Sequence, residues 1–254
     1  VADRPILFSA PMVRALLDGR KTQTRRVINF ANIEKVLDFV KVATDAAGHA
    51  VYEMKGADDQ FVTRPASKGL VDYHFSPRIA VGDRLYVREA WRVAQRWNGT
   101  APRDLSPRTM TVFGEAGGSI ANQDSRDDWR PSAWPELGNL PAWAGKFRQA
   151  MHMPRWASRI TLLVDDIKVE RLQDLSEQDA FAEGVWHGGT FNRFADDLAA
   201  SAIPGRWFPT ATDWYRDLWK RLNGPGSWAA NPWVVAYTFR VVMGNIDEIG
   251  SGDG

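Results

Sequence analysis

The sequence predicts an α+β fold, a small curved sheet or barrel accompanied by a few helices. Three observations lead there. Short strand-like runs recur along the whole chain, helical periodicity is confined to a few places, and regular strand–helix–strand repeats are absent. The length of 254 residues suits one elaborated domain over residues 1–250, with insertions expected at 31–80 and 92–150.

The elements follow in order. Ser9-Ala10-Pro11 precedes Met12, Val13, Leu16 and Leu17, a helix start with Ser9 as cap and Pro11 in the first turn. Gly19 supplies its stop, and Thr24 to Phe30 forms a strand around Val27 and Ile28. Val36–Val42, Ala50–Met54 and Gln60–Thr63 are strand-like, separated by the turn formers Asp45, Gly48 and Gly56. Gly82-Asp83 launches a strand over Leu85–Ala90. Residues 92–150 carry five prolines together with Trp97, Trp129, Trp134 and Trp143, so this segment is expected to fold back over the body or its ligand.

Beyond Pro154 the pattern sharpens. Arg159–Val164 and Ile167–Leu172 read as two strands joined at Asp165-Asp166. Ser176-Glu177-Gln178-Asp179 has the form of a helix N-cap with an acidic residue at its third position. Trp214, Leu218 and Leu222 recur every four residues within a helix over Thr212–Leu222, and Trp233–Met243 is a bulky strand before a frayed, Gly-rich end.

Composition limits the chemistry. A chain without cysteine has no disulfide, zinc–thiolate site or cysteine nucleophile. No apolar run of membrane-spanning length and no signal-peptide core is visible, so a soluble, cytoplasmic protein is expected. The net charge of +1 is unremarkable, but its distribution is uneven. Residues 1–28 hold six basic and two acidic side chains, whereas 165–183 hold seven acidic and two basic. His49, His74, His152 and His187 are isolated, and neither a metal-ligand spacing, a phosphate-binding glycine loop nor a nucleophile elbow occurs.

The densest chemistry lies in Gly19-Arg20-Lys21-Thr22-Gln23-Thr24-Arg25-Arg26 and in Gly82-Asp83-Arg84-Leu85-Tyr86-Val87-Arg88-Glu89-Ala90-Trp91. An amine, a hydroxyl and a carboxylate gathered from these segments could form a pocket for an amide or a nucleobase. A regular strand would point Lys21 and Thr24 to opposite faces, so a shared pocket needs a turn or bulge near Gly19.

The first segment resembles the G-x-K-x-x-(E or T)-x-R signature of the ASCH family, a branch of the PUA-like superfamily. The chain is similar to the larger phage or prophage members, with Pro11–Ile28, Val81–Trp91, Arg159–Val185 and Trp233–Val242 as the shared parts. The resemblance implies a small PUA-like β-barrel with flanking helices and a link to RNA or nucleotide binding. Threonine at position 24, where many members have glutamate, resembles the compact bacterial N4-acetylcytidine amidohydrolases. Carried over from that branch, the catalytic lysine falls on Lys21, the threonine on Thr24 and the glutamate on Glu89. Residues 31–80 and 92–150 have no counterpart there.

The implied activity is removal of an acyl group from an N4-acylated cytosine nucleoside or related modified base, without metal or cofactor. Lys21, or Glu89 acting through it, would activate Thr24 or a water. Lys21 or Arg26 would stabilise the oxyanion, and Glu89 would return a proton to the leaving amine. Arg25, Arg26, Trp91, Arg155 and Trp156 are the candidate substrate contacts, through phosphate pairing and base stacking. Two other readings stand beside it, the first using the same concavity and the second the Trp-rich insertion. One is a non-enzymatic module binding RNA or modified single-stranded nucleic acid; the other is a phage interaction protein displaying Trp129, Trp134 and Trp143.

Overall fold

In a computed structural model, the described residues are 1–65, 71–105, 111–121, 140–185 and 208–249. In chain order the elements are β1 (Asp3–Leu7), α1 (Ala10–Leu17), β2 (Gln23–Val27), β3 (Asp38–Thr44), β4 (Ala50–Lys55), β5 (Arg64–Pro65), β6 (Val71–Asp72) and β7 (His74–Phe75). There follow β8 (Arg84–Arg88), β9 (Trp91–Arg92), β10 (Thr111–Gly114), β11 (Ser119–Ala121), β12 (Ile160–Arg171), α2 (Glu177–Ala182), α3 (Ala211–Asn223) and β13 (Trp233–Met243). Short 3-10 turns punctuate the connections.

The α+β composition holds, but the expected barrel does not form. Among the described residues the sheets are all open: five strands in the order β1-β8-β12-β13-β2, three in the order β11-β10-β9, three in the order β3-β4-β7, and the pair β5-β6. The five-stranded sheet ends at β1 and β2, neither of which takes a second strand partner among the described residues. Pro5 explains one end, because a strand residue without an N–H belongs at a sheet edge. Asp3 and Arg4 on the same short strand further discourage another strand from adding there.

The chain divides into two compact units. The first comprises 1–2, 20–83 and 164–240; the second comprises 3–19, 84–163 and 241–254. Strands β12 and β13 contribute residues to both.

In the first unit, β13 pairs antiparallel with β2, setting Tyr237 against Thr24 and Thr238 against Gln23. An aromatic core forms where Phe39 of β3 meets Trp233 edge-on at 4.9 Å and Phe75 at 5.3 Å, beside Tyr52. The Trp233 indole N–H donates to the Val36 carbonyl at 2.9 Å, so a polar tip is satisfied inside an apolar cluster. The β3–β4 turn was legible: Gly48 has φ +88° and Asp45 accepts from the Ala47 and His49 amides. Gln60–Thr63 is not a strand, since only an isolated bridge from Phe61 to Lys55 occurs there.

The helices of this unit have identifiable starts. Ser176 caps α2 and Asp179 returns the bond, a capping box. Glu177 reaches across to α3, accepting from the Ala211 amide (2.5 Å), the Thr212 amide (3.1 Å) and the Thr212 hydroxyl (2.8 Å). Thr210 caps α3 as well, and Gly224 at φ +97° follows its end. Trp214, Tyr215, Leu218 and Trp219 form the buried face of α3, while Leu222, in the last turn, lies outside it at 52% exposure.

The second unit pairs β1 parallel with β8, and β8 antiparallel with the first residues of β12. Strand β12 runs without a break through Asp165-Asp166, where the sequence suggests a turn. Both aspartates are exposed, with buried residues at 160–162 and 164 before them and at 167 and 170 after them. Two charged residues without Gly or Pro expose the strand locally but leave it intact. Trp91, Val93, Leu105, Val112, Met153 and Ala157 pack as an apolar cluster, with Trp97 and Trp156 against its rim. Burying a side chain the size of Val93, Leu105 or Met153 stabilises by roughly 1.5–3 kcal/mol.

Candidate active site

Gly19, at φ +69°, turns the chain out of α1, so residues 20–22 enter β2 irregularly. Lys21 then bridges to Glu183, the residue that closes α2. The Thr22 amide donates to the Ala182 carbonyl (2.8 Å), and the Phe239 amide donates to the Thr22 carbonyl (2.9 Å). These bonds fix the Lys21 backbone between α2 and β13 within the first unit.

The Lys21 side chain is completely buried. Its Nζ donates to Glu183 Oε2 (2.7 Å), the Glu183 carbonyl (3.0 Å) and the Gln23 carbonyl (2.8 Å). Three acceptors match the three N–H groups of an ammonium, whereas a neutral amine has only two. Burial pulls the Lys21 pKa below its ordinary value, the Glu183 carboxylate opposes that shift, and the Arg26 and Arg25 charges reinforce it. Loss of the proton is therefore easier here than in water, while the resting geometry is that of the cation.

Glu183 serves three donors. Oε1 accepts from Arg25 Nη1 (3.1 Å) and from the Tyr215 hydroxyl (3.4 Å), leaving Oε2 to Lys21. Arg25 is itself anchored, with Nε and Nη2 on Glu170 Oε1 (2.9 and 2.7 Å) and Nη1 also on Gln23 Oε1 (2.6 Å). Burial opposes the Arg25 charge, but Glu183 and Glu170 more than offset it and raise its pKa. Tyr215 is pushed well above the ordinary phenol value, first by burial and then by the Glu183 charge, so it stays a donor. On the far side of Glu170, Lys168 Nζ lies 2.5 Å from Oε2.

Thr24 is buried, 1% exposed, in β2. The Arg25–Gln23 side-chain bond places those two residues on one face, so strand alternation puts Thr24 and Arg26 together on the other. Arg26 is half-buried, and burial lowers its pKa against the opposing pull of Glu183.

Glu89, Trp91, Arg155 and Trp156 belong to the second unit. Glu89 is buried and gripped by Arg159, Nε to Oε1 at 2.7 Å and Nη2 to Oε2 at 3.0 Å. Gly114 is what lets this pair sit so close: a Cβ there would lie 2.5 Å from both Arg159 Nη2 and Glu89 Oε2. Trp91 is fully buried in the apolar cluster, beneath the Arg148 guanidinium at 5.4 Å. Arg155 is held by Asp247 (2.6 Å) and Asp3 (2.5 Å), which raise its pKa, and it lies over the Tyr86 ring. Trp156 packs half-buried on the same cluster as Trp91. Of the tryptophans assigned to a display surface, Trp143 is 41% exposed; Trp129 and Trp134 lie outside the described residues, as does His187.

The carboxylate against Lys21 is thus Glu183, which motif reading did not single out. A signal for it was present in the charge distribution. The basic 1–28 and acidic 165–183 segments are the ones that meet, through Lys21 and Arg25 on Glu183, Glu170 and Asp179.

No family model, curated protein or solved structure matches the chain. Among the described residues no helix is long and apolar enough to cross a membrane.

Proposed function

We propose that the chain is an amidohydrolase that removes the acyl group from N4-acylated cytosine nucleosides or related modified bases. The ASCH resemblance suggests the reaction class. The observation that carries the proposal is the dry contact of 2.7 Å between Lys21 Nζ and Glu183 Oε2, beside the strand that bears Thr24. In a water-excluded setting, the charged pair and the neutral amine–carboxylic acid pair lie closer in energy than in solution, so this contact can take up and return a proton.

In the proposed reaction Lys21 passes its proton to Glu183, and the amine accepts one from a water; Thr24 lies on the face of β2 opposite Arg25, which shares Glu183 with Lys21. The freed oxygen attacks the acyl carbon, and Arg26, on the same face of β2 as Thr24, stabilises the oxyanion. The C–N bond then breaks, and the exocyclic amine takes a proton back from the pair. Water is consumed overall, giving a carboxylic acid and the unmodified cytosine.

Release of cytidine from N4-acetylcytidine, followed by chromatography, tests this. The parent protein should hydrolyse it, and Lys21→Ala and Glu183→Gln should each lose about 10²–10⁴-fold, as expected for a proton-transfer group. Thr24→Ser should retain activity that Thr24→Val loses. Glu89→Gln in the same assay decides between the two candidate carboxylates. An inactive parent, or unchanged turnover in Lys21→Ala, would end the proposal.

A further inference from the structure

In the second unit a buried cation has no counter-charge. The segment 143–148 runs alongside β9: the Arg148 amide donates to the Trp91 carbonyl (2.9 Å), the Trp91 amide to the Arg148 carbonyl (3.0 Å), and the Gly145 amide to the Val93 carbonyl (2.7 Å). Gly145 permits this approach, since a Cβ there would lie 2.5 Å from the Val93 carbonyl oxygen. Arg148 is thereby turned inward, 6% exposed, with its guanidinium 5.4 Å from the ring centre of Trp91.

Among the described residues Arg148 is bound to neutral groups only. Its Nη2 donates to the Trp97 carbonyl (2.8 Å) and the Thr100 carbonyl (3.1 Å), which fixes the guanidinium to the turn at 97–100. The carboxylates on neighbouring elements are committed elsewhere, Glu89 to Arg159, Glu115 to Arg92 and Asp104 to Arg103. Burial lowers the Arg148 pKa, and no nearby charge opposes the shift.

Donors without acceptors accumulate around this cation. Arg148 Nε, Trp91 Nε1 and Trp97 Nε1 are all buried and none has a hydrogen-bond partner. Trp91 belongs to the apolar cluster with Leu105 and Met153, and Trp97 packs against that cluster. Buried polar groups in folded proteins are nearly always paired, and an uncompensated buried charge is costlier still. Unmatched N–H groups and one positive charge together call for a ligand that brings acceptors and a single negative charge.

We infer that this site binds a small monocarboxylate, its oxygens accepting from Arg148 Nε and the two indole N–H groups while its charge neutralises the guanidinium. An ionised carboxylate is acceptor-only, with lone pairs on two oxygens for several donors at once. Phosphate would leave the interior with excess negative charge, and chloride lacks the second acceptor atom. This inference is independent of the hydrolase proposal, because it uses none of that site's residues and lies in the other unit.

Thermal melts and isothermal titration calorimetry with acetate replacing chloride at constant ionic strength, and with phosphate for comparison, test it. Acetate should bind saturably and, at about 100 times its Kd, raise the melting temperature by roughly 5–11 °C. Arg148→Met keeps a long apolar stem and should abolish the saturable response, which a general salt effect would survive. Trp97→Phe deletes one unmatched donor but keeps an aromatic ring, and should weaken acetate roughly 10- to 150-fold, the worth of a hydrogen bond to a charged group. Where Arg148→Met fails to fold, the parent and Trp97→Phe decide the matter. An unresponsive parent, an equal response to phosphate or chloride, or unchanged acetate binding in either variant would overturn the inference.

Discussion

Replacing Glu183 with glutamine removes the charge opposite a wholly buried lysine while keeping the side chain's shape. At 2.7 Å and an effective dielectric of about 20, the Lys21–Glu183 attraction is about 6 kcal/mol. Part of this is cancelled by the cost of burying Glu183 itself, and the glutamine oxygen still accepts from Lys21. Breaking one side of a buried pair typically costs about 3–5 kcal/mol, and the retained hydrogen bond places this variant near 3. For a chain of this size that lowers the melting temperature by roughly 6–12 °C.

The pH dependence adds a sharper test. Lys21 already sits below its ordinary pKa through burial, and Glu183 is the largest influence holding it up. In Glu183→Gln the folded pKa falls further. Between that value and the unfolded value near 10.5, the unfolded chain binds more protons, so stability rises with pH. The deficit against the parent should therefore be greatest where Lys21 is protonated in both proteins and shrink as pH rises toward the ordinary lysine value of 10.5. Urea unfolding followed by tryptophan fluorescence across this range measures it. A deficit below about 1 kcal/mol at pH 7, or one that stays constant or widens with pH, would refute the account of Lys21 as a buried cation dependent on Glu183. Lys21→Met with Glu183→Leu should be milder than Glu183→Gln, since it leaves no unpaired amine.

Other consequences are simpler to check. Gly114→Ala pushes a methyl against the Glu89–Arg159 pair and should cost about 1–3 kcal/mol in chemical unfolding, whereas Gly99→Ala, with no atom within 4 Å of the added carbon, should change little. Glu177 is held below its ordinary pKa: burial raises it, but the Ala211 and Thr212 donors outweigh that. Its stabilisation is present above the unfolded carboxylate pKa and fades as pH falls through the folded one. Glu177→Gln should thus be less stable than the parent at neutral pH and converge with it as pH falls well below the ordinary glutamate value of 4.5 in thermal melts.

Much of the local structure could be read directly. Ser176 and Asp179 announced a helix start because capping is settled within four residues, and Gly19 announced a stop because few other residues adopt its backbone angles. Strand β13 matched its apolar run from Trp233 to Met243. Asp165-Asp166 misled because polarity resembles a turn signal, yet an exposed strand segment tolerates carboxylates.

By itself the sequence determined the α+β character, the main helices and strands, and the concentration of chemistry around Lys21, Thr24, Arg25 and Arg26. Those depend on interactions between residues a few positions apart. Only the tertiary structure decided that the sheets stay open and that Glu183, 162 residues away, is the carboxylate on Lys21. It also set Glu89 against Arg159 in the other unit. The reason is physical: a buried charge is matched by whichever partner the folded chain brings within hydrogen-bonding distance, and separation along the sequence has no bearing on that distance.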